Sequence, residues 1–239
     1  MIVSCDFKAI EWVVALELSK DKVGIKEWLE GVDMHAINQE KFQLRDRVTA
    51  KKFLFRLIYG GTEWSYAKDP DFNWISDKPK FWQEMIESFY TKYAGLRYWH
   101  ERQVAEAMKS GYLLIPTGRR YNYVPTVRNG EKVWPRTTIL NYPVQGFAAE
   151  LVKIGRVLLR MRLKREVPNA LIINSIHDSL VVDVEKEYTK VVLKIMWEII
   201  HEQVLTTFNK LFTYKLSLPI RGELFYGPNQ SNLEEWKPV

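Results

Sequence analysis

With 239 residues, 46% of them apolar and 27% charged, the chain has the composition of a folded globular protein that can bury a sizeable core, which excludes wholesale disorder and a bare binding motif. Lys and Arg outnumber Asp and Glu by 35 to 29, a surplus that suits a polyanionic partner and equally a basic surface kept for solubility. The single cysteine, Cys5, excludes a disulfide framework and a cysteine-based zinc site. It sits in an apolar run, where it reads as a small buried side chain. No apolar stretch reaches the ~18 residues of a membrane span, and no leader pattern follows Met1, so the cytoplasm is the expected compartment.

In chain order, residues 2 to 7 predict a strand and 9 to 30 a mostly helical stretch broken near Gly24. Residues 45 to 59 predict a helix stopped by Gly60 and Gly61. The stretch from Asp69 to Pro79 reads as loop, and 79 to 110 as one or two long helices ending at Gly111. "YLLIPTGRRYNYVP" alternates around a Thr-Gly turn, which is a hairpin signal. A helix is expected from Pro143, a good first helical residue, to about 165. "ALIINSIHDSLVVDV" then gives two short strands hinged at His177 and Asp178. Beyond it, Val191, Ile195, Ile199, Leu205 and Phe208 recur at helical spacing over 187 to 212, and the tail returns to a strand near 215 to 224. Strands so far apart in sequence must share one sheet, with residues 25 to 136 inserted between them.

Two aspartates stand where a strand needs no charge. Asp6 ends the first apolar run and Asp178 lies in the turn between two others. An isolated ionised carboxylate in a core costs several kcal/mol, so each must meet water, a cation or a metal. On neighbouring strands the two carboxylates would repel by about 4 kcal/mol at about 4 Å, a penalty that divalent metal removes. A helix cap at Asp6 and a turn former at Asp178 account for the same residues, and from these two alone both readings stand.

"RDRVTAKKFLFRLIYGG" adds a second constellation. Arg47, Lys51, Phe55 and Tyr59 recur every fourth residue, drifting only about 40° per step along one helix face. Two cations followed by two rings suit a ligand with a phosphate chain at one end and a flat ring at the other, as in a nucleotide.

Taken together, these blocks resemble the family A DNA polymerases, the DNA polymerase I family. "VSCDFKAIE" is similar to that family's first metal-binding motif. Arg47, Lys51, Phe55, Tyr59 and Gly60 match its fingers helix, "NYPVQG" at Asn141 to Gly146 its Asn-x-Pro-x-Gln-Gly block, and "HDSLVVDV" its second metal-binding motif. The four blocks occur in family order across residues 3 to 184.

The resemblance implies an α+β fold. A palm, a small antiparallel sheet with packed helices, would take residues 1–22 and 137–239, and a helical fingers insertion 23–136, without a thumb or an exonuclease domain in this chain. It implies that Asp6 and Asp178, with the backbone carbonyl of Phe7, hold two Mg²⁺ ions. Glu11 would occupy the space of a ribose 2′-OH, and Arg47 and Lys51 would grip the triphosphate, Lys51 also protonating the leaving pyrophosphate. Phe55 would lie against the incoming nucleotide and Tyr59 near the templating position. Asn141 and Gln145 would touch the minor groove or template, and His177 the primer end. His35, in "DMHAIN", resembles the family's Asp-x-His and would meet the triphosphate.

Departures from the pattern are Ser179, where the family usually has Glu, Lys8-Ala9 in place of a Ser-Gln pair, and Val13 in place of an Arg. None removes an essential ligand. Arg119, Arg120 and Arg136 around the hairpin, and Lys153, Arg156, Arg160 and Lys164 on one helix face, suit duplex phosphates and equally a solvated basic face. The expected partners are primer-template DNA, dNTPs and either a second polypeptide that supplies the thumb and upstream palm or the remainder of a cut polymerase. The first strand is then expected to be an interior strand whose neighbours come from elsewhere. A DNA-holding subunit without catalysis, a metal nuclease and an RNA polymerase are the rival functions.

Overall fold

The computed structural model describes residues Met1–Pro238. The first apolar run forms β1 (Ile2–Phe7), followed by α1 (Ile10–Ser19), α2 (Lys22–Leu29), α3 (Met34–Lys41), α4 (Arg47–Ile58) and the short α5 (Glu63–Ala67). Two long helices follow, α6 (Pro79–Lys92) and α7 (Ala94–Ser110). Two small hairpins come next, β2 (Tyr112–Leu114) with β3 (Arg120–Asn122) and β4 (Thr126–Arg128) with β5 (Glu131–Val133). The chain ends with α8 (Arg136–Glu166), β6 (Leu171–Ile176), β7 (Ser179–Asp183), α9 (Thr189–Glu198), a π-helical turn at Ile199–Gln203, α10 (Val204–Leu211), β8 (Gly222–Asn229) and β9 (Asn232–Trp236).

Four sequence expectations are corrected. The break in the first helical stretch falls at Lys20 (φ 53°) and Asp21, not at Gly24, because Asp21 caps the next helix. Gly24 lies inside α2, where a Cβ would stand 2.3 Å from Leu16 Cδ2, so its role is close packing. Pro143 does not start its helix: α8 begins at Arg136 and carries the proline inside. The tail strand begins at Gly222 and not near 215, since the Leu216 amide donates to Asn209 Oδ1 (2.8 Å) and the Leu216 carbonyl accepts from Asn209 Nδ2 (3.0 Å). Val191, expected on the apolar stripe, is exposed.

The chain forms two compact units, residues 1–11 with 146–239 and residues 12–145. In the first, the antiparallel sheet has the order β6-β7-β1-β8-β9, so strands from the two ends of the chain do share one sheet. β1 is interior, as expected, but both of its neighbours belong to this chain. Val3, Cys5 and Phe7 alternate inward along β1. Helix α8 comes close enough at Gly155 that a Cβ there would lie 2.8 Å from Phe7 Cζ. The rings of Phe147 and Phe208, 5.4 Å apart, join α8 to α10.

The core of the second unit is aromatic. Phe53 on α4 meets Phe42, Tyr66, Trp82 and Phe89, and Tyr66 stacks on Trp82 at 5.1 Å. Tyr66 also donates its hydroxyl to the Phe53 carbonyl at 2.8 Å, which satisfies the polar end of a buried ring. The buried carboxylate of Asp21 caps two helices at once, accepting from Gly24 N on α2 (2.8 Å) and from Gly95 N and Leu96 N at the start of α7 (2.7 and 3.2 Å). Four orphan amides at each helix start need such acceptors.

Candidate active site

β1 carries Asp6 one residue before its end, directly opposite Ser179 on β7 and Glu223 on β8. β6 and β7 are joined by a two-residue turn, His177-Asp178, in which His177 takes the left-handed conformation (φ 51°). The Phe7 amide then donates to the Asp178 carbonyl at 2.9 Å, continuing the β1–β7 ladder into the turn. Asp6, Phe7 and Asp178 therefore gather at one end of the sheet. Lys8 pairs with Glu223 at 3.1 Å, so the acid nearest to Asp6 across the ladder already has its cation.

Asp6 and Asp178 are both half-buried, and the Asp178 carboxylate has no hydrogen bond or ion pair among the described residues. Two carboxylates and a main-chain carbonyl are the hard oxygen donors that Mg²⁺ prefers, and the residues present fit such an ion. Among the described residues no group of three or more His, Cys, Asp or Glu is arranged around a metal position. Glu11 lies in the first turn of α1, in the same unit, and His177 is exposed at the turn.

In the second unit the α4 face forms as expected. Arg47 and Lys51 are exposed and Phe55 and Tyr59 half-buried, Tyr59 serving as the C-cap ahead of Gly60 (φ 77°). Lys51 Nζ lies 5.8 Å from the centre of the Phe55 ring, and Phe55 lies 6.3 Å from Tyr59. His35, on α3, is buried with its ring 6.0 Å from Phe55. All five residues thus belong to one neighbourhood.

What ties α3 to α4 is Asp33, which was not singled out in the sequence. It is the N-cap of α3, accepting from the amides of His35 (3.0 Å) and Ala36 (3.2 Å), and it accepts from Arg47 Nε at 2.7 Å. Partial burial pushes its carboxyl up. The Arg47 hydrogen bond, the Ala36 and His35 amides and the Arg47 charge outweigh that and hold it below the usual range. The signal was present in "DMHAIN", where an aspartate two residues before a helical histidine is a helix cap.

Phe55, Tyr59, Gly60, Gly61 and Asn141 line a cavity of ≈ 570 Å³. Asn141 Oδ1 is buried without a hydrogen-bond partner, an uncommon state for a polar atom. Gln145, one turn further along α8, is exposed. Arg119, Arg120 and Arg136 are exposed and line none of this cavity. Arg120 lies on β3 with its guanidinium 3.8 Å from the Tyr112 ring centre and Nε donating to Asn122 at 2.8 Å.

An antiparallel sheet whose central strand carries an aspartate one residue before its end, at the same end of the sheet as a second aspartate in the neighbouring hairpin, and a helical unit bearing a cationic and aromatic helix face make up the α+β architecture of a polymerase domain. The family model for DNA polymerase family A matches residues 1–232, and the chain belongs to that family. Curated relatives include DNA polymerase I of Geobacillus stearothermophilus, 26% identical over 95% of this chain and 26% of the relative. DNA polymerase I of Pseudomonas aeruginosa is 31% identical over 78% of this chain and 21% of the relative. The chain therefore spans about a quarter of the length of these relatives. The fold is that of the POL domain of Pol1 from M. smegmatis, solved in complex with DNA primer-template and dNTP, at a TM-score of 0.79 and 20% identity over 95% of this chain and 39% of that one. No helix among the described residues is long and apolar enough to cross a membrane.

Proposed function

We propose that this chain carries the catalytic palm and fingers of a template-directed DNA polymerase that adds dNTPs to a primer 3′-OH. The palm would comprise residues 1–22 and 137–239 and the fingers 23–136. The observation that carries the proposal is the hydrogen bond from the Phe7 amide to the Asp178 carbonyl, which places the two aspartates of separate motifs at one end of one sheet. Family membership and the likeness to a polymerase domain solved with primer-template and dNTP support it.

In this reading Asp6, Asp178 and the Phe7 carbonyl would hold two Mg²⁺ ions, which would supply Lewis-acid activation of the attacking oxygen and neutralise charge on the phosphates. The primer 3′-OH gives its proton to solvent and attacks the α-phosphate, forming the new P–O bond as the bond to pyrophosphate breaks. Arg47, Lys51 and His35 hold the triphosphate, and Lys51 Nζ gives a proton to the departing oxygen. Phe55 rests against the incoming sugar and base, and Tyr59 and Asn141 take the template side. Gln145 and His177 contact the primer-template. Arg119, Arg120 and Arg136 meet phosphates, and Glu11 fills the space a ribose hydroxyl would need.

The reading includes the remainder of a polymerase, as a second polypeptide or as further chain, that completes the primer-binding surface; the matched POL domain contains more chain than the 39% covered here. A subunit that holds DNA without catalysis is the alternative. Primer extension by the purified chain with Mg²⁺ separates these outcomes. Weak single-nucleotide addition, lost in Asp6→Asn and in Asp178→Asn, is expected. Addition that survives either substitution refutes the metal assignment, and processive extension by a monomer refutes the need for a partner.

A further inference from the structure

Every residue of both strands of the β4–β5 hairpin is exposed, Val127 at 70%, so neither face of this ribbon packs on the unit that carries it. A two-stranded ribbon with no such packing is marginal in water. Its base, by contrast, is firm. Tyr123 is buried with Ala107, Leu113 and Ile139, and Trp134 packs half-buried against the same cluster. Pro125 and Pro135 stiffen the chain on the two sides of the ribbon. At the tip Asn129 and Gly130 both take positive φ, the geometry of a tight turn that matches the twist of the strands. The hairpin is a short arm on a rigid base.

Its charge is as uneven as its packing. Between Arg119 and Arg136 the chain carries five cations and one acid, Glu131, so four of its six surplus positive charges fall in this short stretch. Arg120, in the neighbouring hairpin, is engaged by Tyr112 and Asn122. On the arm itself Arg128 and Lys132 are exposed, and neither makes an ion pair among the described residues. The register sets Arg128 across from Glu131 and Lys132 across from Val127, in successive rows of the ladder. The two cations therefore stand on opposite faces of the ribbon.

Three occupants can be weighed from that arrangement. A protein partner would gain apolar area at Val127 and Val133 but would have to meet a cation on either face of the arm. A single-stranded nucleic acid is held by rings on which its bases stack, and Thr126 to Val133 include none. A duplex satisfies both features. Two strands about 4.8 Å apart, with their side chains, fit a major groove about 12 Å wide, whose two walls both carry phosphates.

We propose that the β4–β5 arm enters the major groove of duplex nucleic acid tip first, with Arg128 and Lys132 on phosphates of opposite walls. The inference rests on the primer-template part of the proposed function and adds to it a contact away from Asp6 and Asp178. Contacts to phosphates carry no base readout, so the arm holds any sequence.

The test reads binding instead of synthesis. The whole chain is titrated with a blunt duplex of about 20 base pairs at several salt concentrations, since each phosphate contact adds about one to the slope of log affinity against log salt. Arg128→Gln with Lys132→Gln is expected to lower that slope by about two and to weaken binding about equally for unrelated sequences. The charge-keeping pair Arg128→Lys with Lys132→Arg retains the slope. Lys80→Gln, which removes another exposed cation of the same unit, also leaves it as in the parent chain. Hydrogen exchange at residues 126–133 slows when the duplex is added and not when a single strand of equal length is. An unchanged slope in the double Gln variant, or an equal fall in Lys80→Gln, overturns the proposal and leaves the polymerase reading standing. Exchange slowed by the single strand alone, or by raised protein concentration alone, also overturns it, the arm then being a single-strand contact or a contact between copies. A parent chain that adds no nucleotide yet binds the duplex with the expected slopes refutes the polymerase reading and leaves the arm.

Discussion

The Phe7 amide and the Asp178 carbonyl are 2.9 Å apart, a bond that joins the end of the first strand to the turn of a hairpin about 170 residues later. It fixes the turn by its backbone and leaves the Asp178 side chain out of the fold's own hydrogen bonding. Asp178→Asn is therefore expected to fold normally, with Asn as acceptable in a turn as Asp, and to shift the melting temperature by only a few degrees. In the proposed function primer extension should fall about a thousandfold, since several kcal/mol of transition-state stabilisation would pass through the metal, and each 1.36 kcal/mol is a factor of ten. Thermal melting and extension assays on one preparation check both parts.

Arg47 is paired with Asp33, so a triphosphate would have to compete for it. Arg47→Ala is expected to raise the KM for dNTP by about tenfold or more, the worth of a charge-assisted hydrogen bond. Asp33→Asn keeps an oxygen to cap α3 but removes the competing charge, and it should lower KM at a stability cost of about 1 kcal/mol or less. The carboxyl of Asp33 is depressed in the folded state, so its contribution is present above the ordinary carboxylate range and is lost only as pH falls through the depressed value. Single-turnover dNTP titrations of the two variants should therefore move in opposite directions at neutral pH.

The residues of the candidate site stand out in the sequence because they are locally out of place: Asp6 interrupts an apolar strand, Asp178 sits in the turn between two others, and Arg47 to Tyr59 mix cations and rings on one helix face. Asp33 does not, since its bond to Arg47 spans 14 residues and periodicity carries no such information. In the fold, Pro143 misled because a proline costs least in a helix's first turn, yet Ile139 and Leu140 are buried and their packing extends α8 upstream of it. The hairpin of β4 and β5 was overlooked although Asn129-Gly130 is a strong two-residue turn, both residues having positive φ (50° and 80°). Its strands are fully exposed, so no alternation of buried residues announces them. The exposure of Leu171, Ile173 and Ile176 on β6 was invisible for the opposite reason: an apolar run reads as buried whether or not anything covers it.

His100 gives the second unit an acid limit. Its imidazole is buried on α7 against the Tyr90 hydroxyl (2.9 Å), and burial, aided by the nearby positive Arg136 and opposed by the Ile58 carbonyl, lowers its pKa to about 3. Between the ordinary value near 6.5 and about 3 the unfolded chain binds a proton that the folded chain does not, so stability rises with pH across that window and is lost as pH falls. The slope is at most about 1.4 kcal/mol per pH unit. His100→Gln removes that titration and should flatten urea-derived stability against pH between those limits by close to one proton. An unchanged slope would assign the acid sensitivity to other groups.

Asn141 poses the contrary case of a residue the fold would do better without. Its Oδ1 is buried beside Tyr59 with no partner, and a buried acceptor left unmade costs about 1–3 kcal/mol. Natural proteins keep such groups where a ligand completes them, and here the proposed ligand is the template side of the nascent base pair. Asn141→Leu, close in size and apolar, relieves that cost, and it should hold or raise the melting temperature by a few degrees. The same change leaves a donor on the nucleic acid unmatched, so primer-template affinity or extension should fall by about tenfold. The two readouts together decide the matter. A variant that loses stability and activity in step would mean that Asn141 is structural, whereas a more stable but less active one would mean that the cavity is kept polar for what enters it.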